Sequence, residues 1–195
     1  ESSSSATSTK TSLIASIRAT MLEKSHETEA HAERLIQLSK EIGVELGLST
    51  EDMNDLELLA TLHDIGKMSI DEKIITKAGP LTDDEWMEMK KHPEVGYRIA
   101  QASSELASIA DYILCHHEKW DGTGYPQGIR GDDIPLLSRI ISVVDSYDAM
   151  TASDRLYRKA MTEEDAINEI SRCSGTQFDP KIADIFIRLK GSLNQ

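Results

Sequence analysis

Hydrophobic positions recur at the spacing of α-helices along most of the chain. The pattern predicts helices over residues 25–47, 49–66, 82–92, 94–101, 104–118, 136–152, 163–172 and 180–190. Ser49 and Thr82 each precede an acidic residue three positions later, which is the spacing of a helix-capping box. No segment alternates with the period of two that a half-buried strand requires, and the apolar run 140–144 fits a buried helix better. The chain is therefore predicted to be all-α.

Three segments depart from the uniform pattern. Residues 1–12 contain nine Ser or Thr residues, so we expect a disordered linker or a tag there. Residues 13–24 carry Leu13, Ile17 and Met21 at four-residue intervals, which predicts an amphipathic signalling or linker helix. This helix either lies on its own domain or pairs with a second copy. Residues 120–135 hold four of the eleven glycines, and a loop of that length is usually functional.

Composition and charge narrow the classes of function. Hydrophobic residues make up 39% of the chain, which is enough for a core. Lys and Arg total 21 against 34 Asp and Glu, a formal charge of −13 that argues against binding a nucleic-acid polymer. No apolar stretch is long enough to span a membrane, so we expect no membrane contact by this fragment. A cytoplasmic location is expected for it, with attachment of the full-length protein to a membrane through an upstream region left open. The chain begins at Glu1 rather than Met, which predicts a piece cut from a longer protein.

Histidines and carboxylates form the most informative pattern. His63 follows Leu56, Leu59 and Ala60 at the spacing of one buried helix face, and Asp64 comes directly after it. Each such residue alone is explained as a hydrogen-bonded core side chain, and Asp145 alone as the cap of a neighbouring helix or by an ion pair with Arg139. Together, imidazoles and carboxylates on several core helices fit a transition-metal centre of iron, manganese, zinc or nickel.

Four motifs resemble those of the HD-GYP family of bacterial cyclic di-GMP phosphodiesterases, a branch of the HD-domain phosphohydrolases. They are HDIGK at 63–67, KHPEVG at 91–96, HHEKWDGTGYP at 116–126 and DSYDAMTASDRLYRKA at 145–160. The resemblance runs from about His31 to the GTQFDP segment at 175–180 and implies one HD-GYP domain over 25–195. It also implies a helical bundle with a metal centre in its core.

The family's metal ligands carry over residue by residue. The resemblance implies the ligands His31, His63, Asp64, His92, His116, His117 and Asp145, with Asp64 bridging two metals. Glu27, four residues before His31, matches the family's three-metal form, although an exposed Glu–His pair also explains it. Two or three ions are therefore expected, iron or manganese first and zinc or nickel as alternatives. His26 is left without a role.

The resemblance also implies an activity, the hydrolysis of cyclic di-GMP to pGpG or onward to GMP. Asp64 and Lys67 would be catalytic, and Lys67, Tyr125, Arg155 and Arg158 would contact the substrate. Nine residues separate Asp145 from Arg155 where the family has eight. The loop around Tyr125 would also contact a diguanylate cyclase (GGDEF) or an adaptor protein. If the amphipathic helix 13–24 pairs with a second copy rather than lying on its own domain, it would form a homodimer.

Three alternatives remain open at this point. The domain hydrolyses another nucleotide, such as cyclic GMP–AMP; or it is a non-catalytic receptor for cyclic di-GMP; or it is a structural helical domain with scattered core histidines. Metal content and product analysis separate them.

Overall fold

The computed structural model describes residues 2–25, 27–153 and 159–192. In that part of the chain no β-strand forms, and an isolated bridge joins Ser174 to Phe178. The α-helices in chain order are α1 (Ser2–Ser25), α2 (Glu29–Glu45), α3 (Thr50–Leu62), α4 (Glu72–Ile75), α5 (Asp83–Met89), α6 (His92–Gln101), α7 (Ala110–Cys115), α8 (Leu136–Thr151), α9 (Glu163–Arg172) and α10 (Pro180–Ser192). Short 3-10 turns cover Ile65–Ser69, Ala107–Ile109 and Gly131–Asp133. The all-α prediction is confirmed.

Side-chain caps fix where several of these helices begin. The Ser49 hydroxyl accepts a hydrogen bond from the Asp52 amide at 3.1 Å and starts α3. At α5 the capping box is complete, because the Thr82 hydroxyl accepts from the Glu85 amide while the Glu85 carboxylate accepts from the Thr82 amide. These caps satisfy amide groups that a helix start leaves unpaired, so the signals in the sequence mark true boundaries.

The core lies between four of the longer helices. These are α2, α3, α8 and α10: helix α2 packs against α3 and α8, and α10 packs against α2 and α8. Their inward faces share one cluster of fully buried side chains, which includes Leu35, Ile42, Leu56, Leu59, Ile140, Ile141, Val144 and Phe186. Burying each large apolar side chain contributes about 1.5–3 kcal/mol, so these helices form stable walls for any site built on them.

The predicted helix 49–66 ends earlier than expected. Helix α3 stops at Leu62, and the chain turns through a 3-10 segment from Ile65 to Ser69. At Gly66 an added Cβ would lie only 1.8 Å from the carbonyl oxygen of His92. This close approach of two backbones holds the end of α3 against the start of α6, and only glycine permits it.

The predicted helix 104–118 is divided in the structure. A 3-10 turn spans Ala107–Ile109, and α7 covers only Ala110–Cys115. Leu106 and Ile109 are both buried, and a 3-10 turn brings residues three apart onto the same face. Helix α7 therefore ends directly before His116, which leaves the two adjacent histidines beyond its last turn.

Helix α1 differs from the expected linker followed by a shorter helix. It runs from Ser2 to Ser25 and takes in most of the Ser/Thr-rich segment, because extending an existing helix adds a hydrogen bond for each residue ordered. Met21 is buried in the core, while Leu13 is exposed. The side chain of Lys24 donates to the carbonyl oxygen of Met68. The division into linker, helix and domain stays a prediction.

Residues 120–135 form the expected loop, apart from its one 3-10 turn. Its start is fixed to the segment before α10, because the Trp120 amide donates to the Gln177 carbonyl at 3.2 Å and the Asp121 amide to the Thr176 carbonyl at 2.9 Å. The Gly131 amide closes the loop by donating to the Trp120 carbonyl at 2.9 Å. The loop is thus held at both ends.

Candidate metal centre

Among the residues that the structure describes, two groups of side chains bring possible metal-binding atoms within 4.8 Å of one another. The α6–α7 group consists of Asp64, His92, His116 and His117; the α2–α8 group consists of His31, His63 and Asp145. These are the seven His and Asp ligands that the family resemblance implies. The fold therefore brings together side chains that lie more than a hundred residues apart in the sequence.

Helix ends position the α6–α7 group. His92 is the first residue of α6, and its Nε2 atom lies 3.2 Å from Oδ1 of Asp64. His116 follows the last residue of α7, with its Nε2 atom 3.4 Å from the same oxygen. The Nε2 atom of His117 lies 3.1 Å from that of His92. The side chains thus point several lone-pair donors at one small volume.

Backbone carbonyls orient two of these imidazoles. The Nδ1 atom of His92 lies 2.6 Å from the carbonyl oxygen of Met89, and Nδ1 of His116 lies 2.6 Å from that of Ile113. A carbonyl oxygen only accepts hydrogen bonds, so the proton of each neutral ring sits on Nδ1. The Nε2 lone pair then faces the site, as in histidines that bind metals.

Core helices supply the α2–α8 group. The Nε2 atoms of His31 and His63 both lie 3.7 Å from Oδ1 of Asp145. Nδ1 of His63 donates to the carbonyl oxygen of Ala60 at 3.1 Å. Neither buried Nε2 atom has a hydrogen-bond partner among the described residues. Burying an unpaired polar atom costs free energy, and a bound cation would supply the missing partner.

Asp64 lies between the two groups. Its Oδ2 atom is 3.3 Å from Nε2 of His63, whereas its Oδ1 atom faces His92 and His116. Burial raises the pKa of Asp64, but Lys67 and His63 outweigh that effect and hold it well below its usual range. A buried, ionised carboxylate with one oxygen towards each group has the geometry of a bridging ligand. This donor set fits a cluster of transition-metal ions.

Lys67 and Glu27 lie at the edge of the centre. The Lys67 ammonium is 2.9 Å from Oδ2 of Asp64 and 3.3 Å from Oε1 of Glu27. Burial lowers the pKa of Lys67, but these two carboxylates outweigh it and raise that pKa, so the side chain stays charged. Burial and the Asp64 charge raise the pKa of Glu27. Glu27 belongs to neither group here, and its role as a metal ligand stays a prediction.

The Gly-Tyr-Pro segment folds over the α6–α7 group. The ring of Tyr125 stacks on that of His117, with 5.0 Å between centroids and 19° between planes. Burial raises the pKa of Tyr125 to about 12, so its hydroxyl stays protonated. Buried Glu118 anchors the following residues, because its carboxylate accepts from the Gln127 amide at 2.7 Å and the Gly128 amide at 3.0 Å.

Sequence reasoning missed one buried carboxylate, Asp148. It is 2% exposed and accepts hydrogen bonds from Nδ1 of His31 at 2.5 Å and from Nε of Arg34 at 2.5 Å. The side chain of Asp145 on the same helix is 24% exposed, so the more deeply buried of the two was overlooked. A usable signal was present, since Asp148 follows Asp145 by three residues on a buried helix.

The proposed pair between Asp145 and Arg139 is wrong. Arg139 instead donates to Oδ2 of Asp179 at 2.7 Å. Asp179 also accepts from the Lys181 amide at 2.8 Å, at the start of α10. Asp145 is therefore left to face the two histidines. The predicted substrate contacts Arg155 and Arg158, and His26, lie outside the described residues.

Comparison with known protein families shows which family the chain belongs to. A family model described as an HD domain matches residues 16–182. The chain belongs to the HD domain family. Its relatives, described below, bear names that confirm the resemblance stated from the motifs. No helix among the described residues of this HD domain is both long and apolar enough to cross a membrane.

Curated relatives and a solved structure resemble this HD domain over most of its length. A cyclic di-GMP phosphodiesterase of Thermotoga maritima is 40% identical over 84% of the chain and 45% of its own length. A 3'3'-cGAMP-specific phosphodiesterase of Vibrio cholerae is 36% identical over 87% of the chain and 34% of its own length. The chain thus spans less than half of these relatives. A cyclic GMP-AMP-specific phosphodiesterase of V. cholerae shares the fold, with a TM-score of 0.70 at 23% identity, over 92% of the chain and 48% of its own.

Proposed function

We propose that this HD domain is a metal-dependent phosphodiesterase that hydrolyses cyclic di-GMP to pGpG, as the output domain of a signalling protein. The observation that carries the proposal is the position of Asp64, with one oxygen facing each of two histidine groups. The names of its relatives support a cyclic dinucleotide as the substrate.

The metal ions would be held by the two groups, with Asp64 between them. Iron or manganese is the proposed metal, and zinc or nickel suits the same donors. When bound, such ions lower the pKa of water and neutralise charge on the phosphoryl and leaving oxygens. Glu27 is the proposed ligand of a third ion. It precedes α2, and the position of its carboxylate at the edge of the centre, 3.3 Å from the Lys67 ammonium that also contacts Asp64, supports this.

Lys67 would bind the substrate phosphate. Its ammonium lies beside Asp64 and remains charged, so it can donate to a non-bridging phosphoryl oxygen and stabilise the charge that develops there. Tyr125, held over His117 as a protonated phenol, would orient the nucleotide beside the metals. Arg155 and Arg158 are proposed as further phosphate contacts on the strength of the sequence motif.

Cyclic GMP–AMP is the second candidate substrate, and relatives specific for it support this alternative. Continued cleavage to GMP, contact of the Tyr125 loop with a GGDEF protein or an adaptor, dimerisation through residues 13–24 and a cytoplasmic location all stay predictions.

The test is turnover by the metal-loaded domain. Purification without oxygen or chelator should yield protein that contains iron or manganese and converts cyclic di-GMP to pGpG, measured by product chromatography against cyclic GMP–AMP under the same conditions. Chelation should abolish turnover and added metal should restore it. Protein with a full complement of metal that binds cyclic di-GMP without cleaving it would establish the receptor alternative instead.

A further inference from the structure

Histidines of the candidate metal centre differ in how their outer nitrogen is held. Nδ1 of His63, His92 and His116 each meets a backbone carbonyl three residues earlier in the chain. Nδ1 of His31 instead meets the carboxylate of Asp148, a side chain 117 residues away in the sequence. The orientation of His31 therefore depends on a residue that a point mutation can remove.

Arg34 occupies the remaining acceptor positions of Asp148. Its Nε donates to Oδ1 at 2.5 Å, and one terminal nitrogen donates to Oδ2 at 3.2 Å. Both carboxylate oxygens are thus engaged, and the whole arrangement is buried except for part of Arg34, whose side chain is 38% exposed. Two hydrogen bonds from a planar guanidinium fix the plane of the carboxylate that receives His31.

We propose that Asp148 and Arg34 are a positioning pair that keeps the proton of His31 on Nδ1, so that Nε2 remains a lone-pair donor facing Asp145. This inference deepens the proposed function, because it rests on His31 being a metal ligand. Neither residue touches the metal site itself: Asp148 acts through His31, and Arg34 acts through Asp148.

The chemistry of the carboxylate explains the choice of residue. A carboxylate has acceptors only, so the ring nitrogen that faces it must carry the proton. An asparagine at this position has one oxygen and one NH2 group. Arg34 has donors only and lies closer to Oδ1, at 2.5 Å, than to Oδ2, at 3.2 Å. It would therefore hold the amide oxygen at the Oδ1 position and leave the NH2 group at the Oδ2 position, which faces His31. Nδ1 would then accept, the proton would move to Nε2, and the ring would no longer offer a ligand to the site.

This argument predicts rescue by a second substitution. In Asp148→Asn alone, Arg34 holds the amide with its NH2 group towards Nδ1 of His31. Adding Arg34→Met removes that donor while keeping an apolar stem, so the amide is free to turn its oxygen towards Nδ1. The double variant should therefore bind metal better than Asp148→Asn does. If Asp148 only filled space, the double variant would bind metal less well than Asp148→Asn, because the losses from two buried substitutions would add.

The experiment compares wild type, Asp148→Asn, Arg34→Met and the double variant. Asp184→Asn is the matched control, because Asp184 also pairs with an arginine but its side chain is 68% exposed on α10. Mn²⁺ titration with elemental analysis gives the metal content, and ¹⁵N spectra of the histidine rings in metal-free protein give the tautomer. Asp148→Asn should weaken Mn²⁺ binding at the α2–α8 group by about 10- to 100-fold, as loss of such partners does. The double variant should recover most of this loss, and the control should match wild type.

The results separate this inference from the proposed metal centre. Mn²⁺ binding by Asp148→Asn equal to wild type, or binding by the double variant no better than by Asp148→Asn, would overturn it. The wild-type spectrum tests it without any variant: a His31 ring protonated on Nε2 in the metal-free protein also overturns it. Wild-type protein that takes up no metal refutes the proposed centre instead, and the tautomer spectra still decide the role of Asp148.

Discussion

The two halves of the candidate centre are built by different means. In the α6–α7 group, ligands stand at the ends of short helices, and backbone carbonyls hold the outer nitrogens of His92 and His116. In the α2–α8 group, His31 and Asp145 project from long core helices, and a side chain holds the outer nitrogen of His31. His63 of the same group follows the last residue of α3, and the carbonyl of Ala60 holds its outer nitrogen. A substitution cannot delete a carbonyl, so the orientation of the first group tolerates changes around it. In the second group, the orientation of His31 depends on one particular side chain, Asp148.

The electrostatic surroundings of the histidines also differ between the two groups. Burial lowers the pKa of His116 and takes that of His117 well below its usual range, with neighbouring histidines contributing. Burial also lowers the pKa of His63, but Asp64 and Asp145 outweigh it and raise that pKa well above its usual value. His116 and His117 of the α6–α7 group therefore stay neutral more readily, whereas a proton competes more strongly for His63 of the α2–α8 group.

The largest effect is expected from Asp64→Ala, which removes the residue shared by both halves. Metal content should fall towards zero and turnover should fall by more than the roughly 100-fold that loss of a supporting partner costs. Elemental analysis and product chromatography on one sample measure both. Asp184→Ala, on the exposed face of α10, is the control and should leave both unchanged. Full metal content in Asp64→Ala would contradict the bridging role.

Removing one ligand from each half should separate the two groups. His31→Ala should leave the α6–α7 group loaded and cost about one ion per chain, because no ligand of that group is touched. His92→Ala should instead cost an ion from the α6–α7 group. Elemental analysis gives the amount of metal that remains in each variant. The spectrum of the remaining metal should differ between the two variants, because different ligands hold it. Identical residual species in both variants would show that the halves do not bind metal independently.

Lowering the pH should release metal from the α2–α8 group before the α6–α7 group. A metal ion binds the deprotonated ring, so a raised pKa makes the proton a stronger competitor and a lowered pKa makes it a weaker one. As the pH falls from about 8 towards 5, the α2–α8 group should lose metal first and the α6–α7 group later, because histidines titrate in this range. Metal retained per chain after equilibration at each pH measures the order. Loss in a single step would contradict the distinction between the groups.

Much of this centre could be predicted from the sequence, and what could not has a physical reason. His63 lies on the buried stripe of its helix, and the motifs indicated the remaining ligands. Asp148 was missed because its partner His31 is distant in the chain, so no local spacing shows the contact. The break before α7 was missed because the alternative turn also buries Leu106 and Ile109. Local patterns thus predicted helices and ligands, while pairings between helices required the fold.

The smallest effect should come from Glu118→Gln, which tests a side-chain anchor of the loop that covers the α6–α7 group. Its carboxylate accepts two backbone amides beyond the Tyr125 turn, and a glutamine would place an NH2 group against one of them. A buried unsatisfied donor of this kind costs about 1–3 kcal/mol of unfolding free energy, measurable by urea denaturation.

Because Tyr125 stacks on His117 rather than binding metal, Glu118→Gln should raise the KM for the cyclic dinucleotide by a few-fold, while the metal content stays at the wild-type level. Glu164→Gln, at an exposed position of α9, is the control for removing one negative charge. Loss of metal from Glu118→Gln but not from Glu164→Gln would mean that the loop also holds His117 in place, and that the α6–α7 group is less independent of side chains than its backbone contacts indicate.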